Sequence, residues 1–215
     1  MSTAQMAQWA TDFGRAYTHR NSLSPEELDA LYLRNYGISR RQLNEYFLSD
    51  VPPDARILEV GCNVGNQLLL LRQMGYRNLY GIEIQHHALQ QARTCLADVR
   101  LVEASAFEIP YADGYFDLVF TSGVLIHIAP GDLSRAAAEI HRCTRKYIWG
   151  LEYYSPQPRE VEYRGRWGLL WKMDFAGLYL DRFKDLEVVR TSRLRYLENS
   201  NVDSMFLLRK KEPRE

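Results

Sequence analysis

Cysteine is scarce: the 215 residues hold three, Cys62, Cys95 and Cys143, with no C-x-x-C spacing. An odd, scattered set excludes a disulfide framework and reads as free thiols in a reducing compartment, so a cytoplasmic location is expected. Net charge is also missing, because Lys and Arg total 27 and Asp and Glu total 27. Such a chain has no overall field with which to gather a polyanion or a bilayer surface. No run of about 18 apolar residues occurs, and the amino-terminal MSTAQMAQWATDFGRAYTHRN has no apolar h-region. Internal repeats and low-complexity tracts are absent too. The expectation is a soluble protein with neither a nucleic-acid nor a membrane partner. Hydrophobic residues make up 46% and charged residues 25%, which is ordinary globular usage. A chain of this length buries about 70% of its unfolded surface and needs no disulfide or structural metal to hold together.

What is present is an alternation of strands and helices behind a helical preface. Ser24-Pro25-Glu26-Glu27 and Ser39-x-x-Gln42 are capping boxes, the first with proline at the opening helical position, so two short helices are expected before the core. Val51-Pro52-Pro53-Asp54 breaks the second, and residues 56–60 (RILEV) read as a buried strand. A leucine-rich helix over 66–74 stops at Gly75. Strand 79–84, helix 86–97, strands 99–103 and 116–121, helix 132–143 and strand 146–152 follow, which implies a parallel sheet with helices on both faces. After a helix over 173–181, strands 186–196 and 205–209 form a hairpin across Glu198-Asn199-Ser200-Asn201, so the sheet is mixed at one end. Between Tyr147 and Tyr179 stand nine aromatics, including three of the four tryptophans. The chain thus divides into a helical cap or lid (1–50) and a core (51–215) carrying an aromatic-rich substrate segment (153–180).

The sharpest motif is Glu59-Val60-Gly61-Cys62-Asn63-Val64-Gly65, which ends a strand and opens a helix. Glycine at 61 and 65 permits a tight turn and a ligand lying against the backbone, and Asn63 tolerates positive φ. The spacing is not the G-x-G-x-x-G of nicotinamide enzymes. It resembles E/D-x-G-x-G-x-G, the first motif of class I S-adenosylmethionine-dependent methyltransferases, with Asn63 in place of the middle glycine. Glu83, 22 residues beyond Gly61 at the end of Gly81-Ile82-Glu83, stands where an acid takes two ribose hydroxyls. The same resemblance counts Ile84 among the cofactor-binding residues and sets Ser105 and Ala106 against an adenine, with Phe107 as its wall; an Asp is frequent in that superfamily where Ser105 stands. Thr121 and Ser122 end the fourth strand and face the methyl donor. No N/D-P-P-Y/F/W follows that strand and no Pro-Cys pair occurs, which counts against nucleobase methylation.

Trp9-x-x-Asp12-Phe13-Gly14-x-x-Tyr17-x-x-Arg20-Asn21, the Glu59 turn, Tyr80-Gly81-Ile82-Glu83, Val124-Leu125-Ile126-His127-Ile128, Glu152-Tyr153-Tyr154-Ser155-Pro156, Tyr163-Arg164-Gly165 and Asp174-Phe175-Ala176-Gly177 together resemble the pseudaminic acid biosynthesis-associated methylase family. That family is a branch of the class I methyltransferases whose name records genomic neighbourhood more than chemistry. The resemblance implies a Rossmann-like, seven-stranded, mostly parallel sheet with an antiparallel last strand, and S-adenosylmethionine as cofactor. It also implies a lid of Phe13, Tyr17 and Arg20, with Arg20 meeting the methionine carboxylate and an aromatic near the sulfonium.

Methyl transfer is an in-line displacement, and a hydroxyl acceptor gains from a base that takes its proton. His127, just past the fourth strand, is the candidate, with Glu152 and Tyr153 beside it after the fifth. Tyr154, Arg164, Arg166, Lys172 and Asp174 offer an aromatic and charged setting for a small polar substrate such as a sugar acid or an amino-acid-derived metabolite. His86 and His87 face different ways on a helix, and no cluster argues for a metal. Two other readings stay open: a methyltransferase of RNA or protein, using the local charge of Arg142, Arg145 and Lys146, and a non-catalytic cofactor-binding module. The aromatic flank of a neutral chain is compatible with a homodimer.

Overall fold

In a computed structural model that describes residues 3–211, four helices precede the first strand: α1 (Ala4–Trp9), α2 (Asp12–Arg20), α3 (Pro25–Tyr36) and α4 (Arg40–Phe47). The terminal residues 1–2 and 212–215 of the two expected segments lie outside the described residues. Each helix begins at a side-chain cap. Thr3 and Thr11 accept from Met6 and Phe13 amides, and Ser24 and Ser39 form full capping boxes with Glu27 and Gln42. The sequence reading found α3 and α4 by those boxes; α1 and α2 have single threonine caps without the reciprocal Glu or Gln, and they went uncounted among the expected helices.

The core alternates as β1 (Arg56–Val60), α5 (Asn66–Gln73), β2 (Asn78–Glu83), α6 (His86–Cys95), β3 (Arg100–Glu103), β4 (Phe116–Ser122), a 3-10 turn (Leu125–His127), α7 (Pro130–Cys143) and β5 (Thr144–Tyr153). Two short strands, β6 (Arg159–Glu160) and β7 (Trp171–Lys172), then pair with each other before α8 (Phe175–Arg182), β8 (Leu186–Arg195) and β9 (Val202–Lys210). The seven-stranded sheet runs β3-β2-β1-β4-β5-β9-β8. In that sheet only β9 runs opposite to the other strands, so the mostly parallel, Rossmann-like sheet with an antiparallel last strand is as expected.

β1 shows why the sheet needs helices on both sides. Ile57 belongs to one apolar core with Phe47, Leu68 and Trp149, while Leu58 and Val60 belong to the other with Phe116, Ile140 and Phe206. Successive strand residues face opposite ways, so a strand buried on both faces must be apolar at every position. Glu59 is the exception, buried on the first face. The chain order reverses between β1 and β4, and it is outside the carboxyl ends of strands at such a switch point that open sheets bind ligands. No helix among the described residues is long and apolar enough to cross a membrane.

Candidate active site

A cavity of about 370 Å³ opens over those strand ends, and the helical cap roofs it. Its wall at the β1–α5 turn holds Glu59, Gly61, Cys62 and Asn63. Gly61 has φ 71°, and a Cβ there would fall 2.7 Å from Val124 Cγ2, so the turn closes only around glycine. Asn63 takes φ 49° in place of a glycine. Gly65 stays outside the wall: its missing Cβ leaves room for Leu96 of the loop after α6, whose Cδ1 it would meet at 2.3 Å.

The turn does not hold ligands through the amides that the sequence suggested. Gly61 and Cys62 N–H groups donate to the Ile82 carbonyl at 2.8 and 3.0 Å, and Gly65 N–H donates to the Cys62 carbonyl. Asn63 N–H donates to Glu83 Oε2 at 3.0 Å. Glu83 Oε1 accepts from the Ile84 and Gln85 amides at 2.7 and 3.0 Å. Three backbone donors therefore aim the Glu83 carboxylate, and burial against them still raises its pKa. Oε1 already accepts two hydrogen bonds, and Oε2 keeps lone-pair capacity for a ribose hydroxyl. Two buried acceptors in the same wall, Glu59 Oε2 and Gln67 Oε1, have no hydrogen-bond partner among the described residues. A ligand that brings donors to both satisfies them, and the amino group of a methionine tail is such a donor.

On the β3 side Ser105 Oγ accepts from the Phe107 amide at 3.1 Å, and Ser105, Ala106 and Phe107 line the cavity with Ile84. Arg135 covers the far face of the Phe107 ring at 4.8 Å. Tyr17 enters from the lid, where Trp9 packs edge-on against Tyr17 and Phe13 and lies 4.6 Å from the His127 ring. Thr18 Oγ1 donates to Asn63 Oδ1 at 2.9 Å, and Asn66 joins Asn21 and Leu23, so α2 is latched to the cofactor turn.

His127 lies in the wall on the 3-10 turn after β4. Its Nδ1 meets the Leu169 carbonyl at 2.7 Å, and because a carbonyl can only accept, Nδ1 carries the proton and Nε2 the free lone pair. Burial pushes its pKa down to about 4, so the ring is neutral at pH 7. Ser122 and Tyr153 line the cavity as well. Glu152 does not. Its Oε1 accepts from Val124 N–H at 3.2 Å and its Oε2 from Ile126 N–H at 3.3 Å, which shapes the turn that presents His127. Burial raises its pKa to about 7, and Thr121 supplies a further hydrogen bond from beneath.

Several other expected residues lie away from the cavity. Arg20 is exposed at the end of α2 and borders a shallow depression with Glu27 and Arg34 instead of meeting a methionine carboxylate. Tyr154 lies under Arg193, whose guanidinium is 3.7 Å from its ring. Arg164, with φ 53°, and Arg166 occupy the exposed tip between β6 and β7, where Arg166 covers Phe13. Lys172 donates to Asn201 Oδ1 at 2.6 Å and lies over Tyr153, and Asp174 caps α8 through the Gly177 amide. The charges of that segment fasten the roof and the hairpin.

Among the wall residues not anticipated in the site are Tyr32 and Tyr36 of α3, Tyr196 and Asp203 of the β8–β9 hairpin, and Gln67 and Gln85. One signal was available. Asp203 interrupts a strand of apolar and small residues, where an unpaired charge is costly.

Comparison with known proteins adds to this geometry. Residues 58–147 match the methyltransferase-domain family. An uncharacterized methyltransferase of Synechocystis is 28% identical over 92 residues, covering 43% of this chain and 43% of that protein, so the match spans less than half of that relative's length. The 1,6-didemethyltoxoflavin-N1-methyltransferase of Burkholderia thailandensis, crystallised with 1,6-didemethyltoxoflavin and S-adenosylhomocysteine, superposes with a TM-score of 0.73 at 17% identity, over 99% of this chain and 92% of that one. The cyclase SpnF also superposes, with a TM-score of 0.66 at 14% identity, over 88% and 97% of the two chains. A cyclase on this scaffold shows that the fold alone does not set the reaction. Residues 58–147 thus match a methyltransferase domain within a Rossmann-like fold, and that match together with the cavity supports S-adenosylmethionine as the cofactor.

Proposed function

We propose that the protein transfers a methyl group from S-adenosylmethionine to an oxygen or nitrogen of a small polar metabolite. The observation that carries this reading is the continuity of one roofed cavity from Glu83, past Gly61 and His127, to Tyr153. Glu83 would hold the ribose of the methyl donor, and Glu59 and Gln67 its amino acid tail, within the same enclosure as His127. Enclosure by the lid supports a small acceptor over a macromolecular one, which would need an open face. The sequence likeness to the pseudaminic acid-associated methylases agrees with a sugar acid or an amino-acid-derived metabolite.

When bound, S-adenosylmethionine supplies an electrophilic methyl group. The protein's part is to hold the acceptor in line and dry, and to take its proton. The neutral His127 ring offers Nε2 for that purpose. A hydroxyl becomes strongly acidic as its oxygen is alkylated, so a base weakened by burial still accepts the proton. Glu152 holds the turn on which His127 rides, and the Leu169 carbonyl fixes the ring's tautomer. An amine acceptor needs only to arrive neutral.

Calorimetric titration with S-adenosylmethionine and S-adenosylhomocysteine, of wild type and Glu83→Ala, tests the reading. Micromolar binding that weakens at least tenfold in the variant is expected, from a charge-assisted hydrogen bond lost at about 1.5–3 kcal/mol. Failure of wild type to bind either nucleoside would overturn it.

A further inference from the structure

The cavity has a second end that the cofactor reading does not use. Leu28, Tyr32 and Tyr36 stand four residues apart on one face of α3, and Tyr153 and Tyr196 approach from β5 and the β8–β9 hairpin. The Tyr36 ring lies 5.3 Å from that of Tyr32 and 4.8 Å from that of Tyr196. At this end lies Asp203, only 4% exposed. Its Oδ2 accepts from the hydroxyls of Tyr36 at 2.6 Å and Tyr196 at 3.3 Å. Its Oδ1 is buried and has no hydrogen-bond partner among the described residues.

Two cations lie in the neighbourhood without reaching it. Arg40 is fully buried and donates through Nε to Asn44 and through Nη1 to Tyr32 and Ser122, its Nη2 having no hydrogen-bond partner among the described residues, and Lys172 donates to Asn201. Both help to keep the Asp203 carboxyl ionised, against the burial that raises its pKa to about 6. A buried carboxylate oxygen without a donor is costly unless something else supplies one. The missing group is a donor, and among tyrosine ring faces a cationic donor is favoured over a neutral one.

We propose that Asp203 and the tyrosines around it form an ammonium subsite, taking a protonated primary amine whose apolar stem lies along Leu28 and Leu151. Tied to the carboxylate, that nitrogen has no free lone pair, so the subsite anchors a ligand and does not itself present the atom to be methylated. Whether the amine belongs to the acceptor or to the methionine tail is a separate matter, and Glu59 and Gln67 already offer the tail its acceptors. The assignment of the amine to an acceptor rests on the methyltransferase reading; the subsite itself does not.

The test uses phenethylammonium and its neutral counterpart 2-phenylethanol, titrated by ligand-observed NMR into the full chain saturated with S-adenosylhomocysteine, and repeated without the nucleoside. Wild type is expected to bind the ammonium at least tenfold more tightly than the alcohol, and Asp203→Asn to abolish that preference. S-adenosylmethionine affinity unchanged within twofold in Asp203→Asn assigns the subsite to the acceptor; a tenfold loss there assigns it to the methionine amine. Equal binding of ammonium and alcohol by wild type, with unchanged nucleoside affinity in the variant, overturns the subsite, and the wild-type comparison holds even if the variant fails to fold. Absence of nucleoside binding would defeat the methyltransferase reading alone, because the titration without nucleoside still reads the subsite.

Discussion

The two ends of the cavity are built on opposite plans. At the Glu83 end, a tight turn and a strand end meet through backbone donors, with Asn63 and Glu83 only 20 residues apart. At the Asp203 end the decisive contact joins side chains 167 residues apart. The first end is held mainly by backbone groups of the β1–α5 turn and the end of β2. The second is assembled from helix, strand and hairpin, and depends on each of them being in place.

Breaking the first end has the largest expected effect. Gly61→Ala puts a side chain at φ 71° and against Val124. A left-handed residue costs about 1–2 kcal/mol, and overpacking a further 1–3 kcal/mol or so. Urea unfolding is expected to show a loss of about 3 kcal/mol, with the overpacking share recovered when Val124→Ala is the background. An equal loss in both backgrounds would place the whole cost in the backbone.

The floor beneath both ends carries opposed titrations. Glu152 has its pKa raised to about 7 from an ordinary 4.5, so it retains in the fold a proton that the unfolded chain releases. Its contribution to stability is complete below about pH 4.5 and is lost as pH rises through 7. His127, lowered from 6.5 to about 4, works the other way: between those values the unfolded chain takes up a proton that the buried ring refuses. Glu152→Gln removes the first slope only. The stability of the variant relative to wild type should shift in its favour by about 3 kcal/mol between acid and neutral pH, at about 1.4 kcal/mol for each pH unit of displacement. A difference that stays constant with pH would mean that Glu152 titrates normally in the fold.

The same contrast explains what could be read in advance. Strand β1, the glycine turn and Glu83 are local: a short, mostly apolar run, two glycines and one spacing carry them. The parallel sheet and its mixed end followed from the alternation of strands and helices and from the turn-rich Glu198 to Asn201. The charges of the 153–180 segment were read as substrate groups because composition cannot tell a cap from a contact. Asp174 is an N-cap, Arg166 a cover for Phe13 and Lys172 a tie to Asn201. Asp203 escaped because its meaning lies in Tyr36 and Tyr196, and no local pattern links α3 to the last hairpin.

A smaller effect is expected at the latch between lid and turn. Thr18→Val keeps the shape of a fully buried side chain and removes its hydrogen bond to Asn63 Oδ1, at about 1 kcal/mol. If α2 opens as a unit of its own, its amides exchange about fivefold faster while those of β1 and β4 are unchanged. Equal acceleration in the sheet would show that lid and core unfold together.

The smallest expected effect is at Arg20, the residue that the sequence likeness set against the methionine carboxylate. It stands two residues beyond Thr18, on the exposed face near Glu27 and Arg34, outside the wall. With the lid latched as it is, Arg20→Ala should leave S-adenosylmethionine affinity within twofold, because an exposed charge at that distance is screened. A tenfold loss would mean that the end of α2 turns inward when the cofactor arrives, trading the Thr18 latch for a salt bridge. The lid would then be a moving part, and Thr18→Val should weaken the grip of Arg20 on the carboxylate little, since the latch it removes is one that binding already gives up.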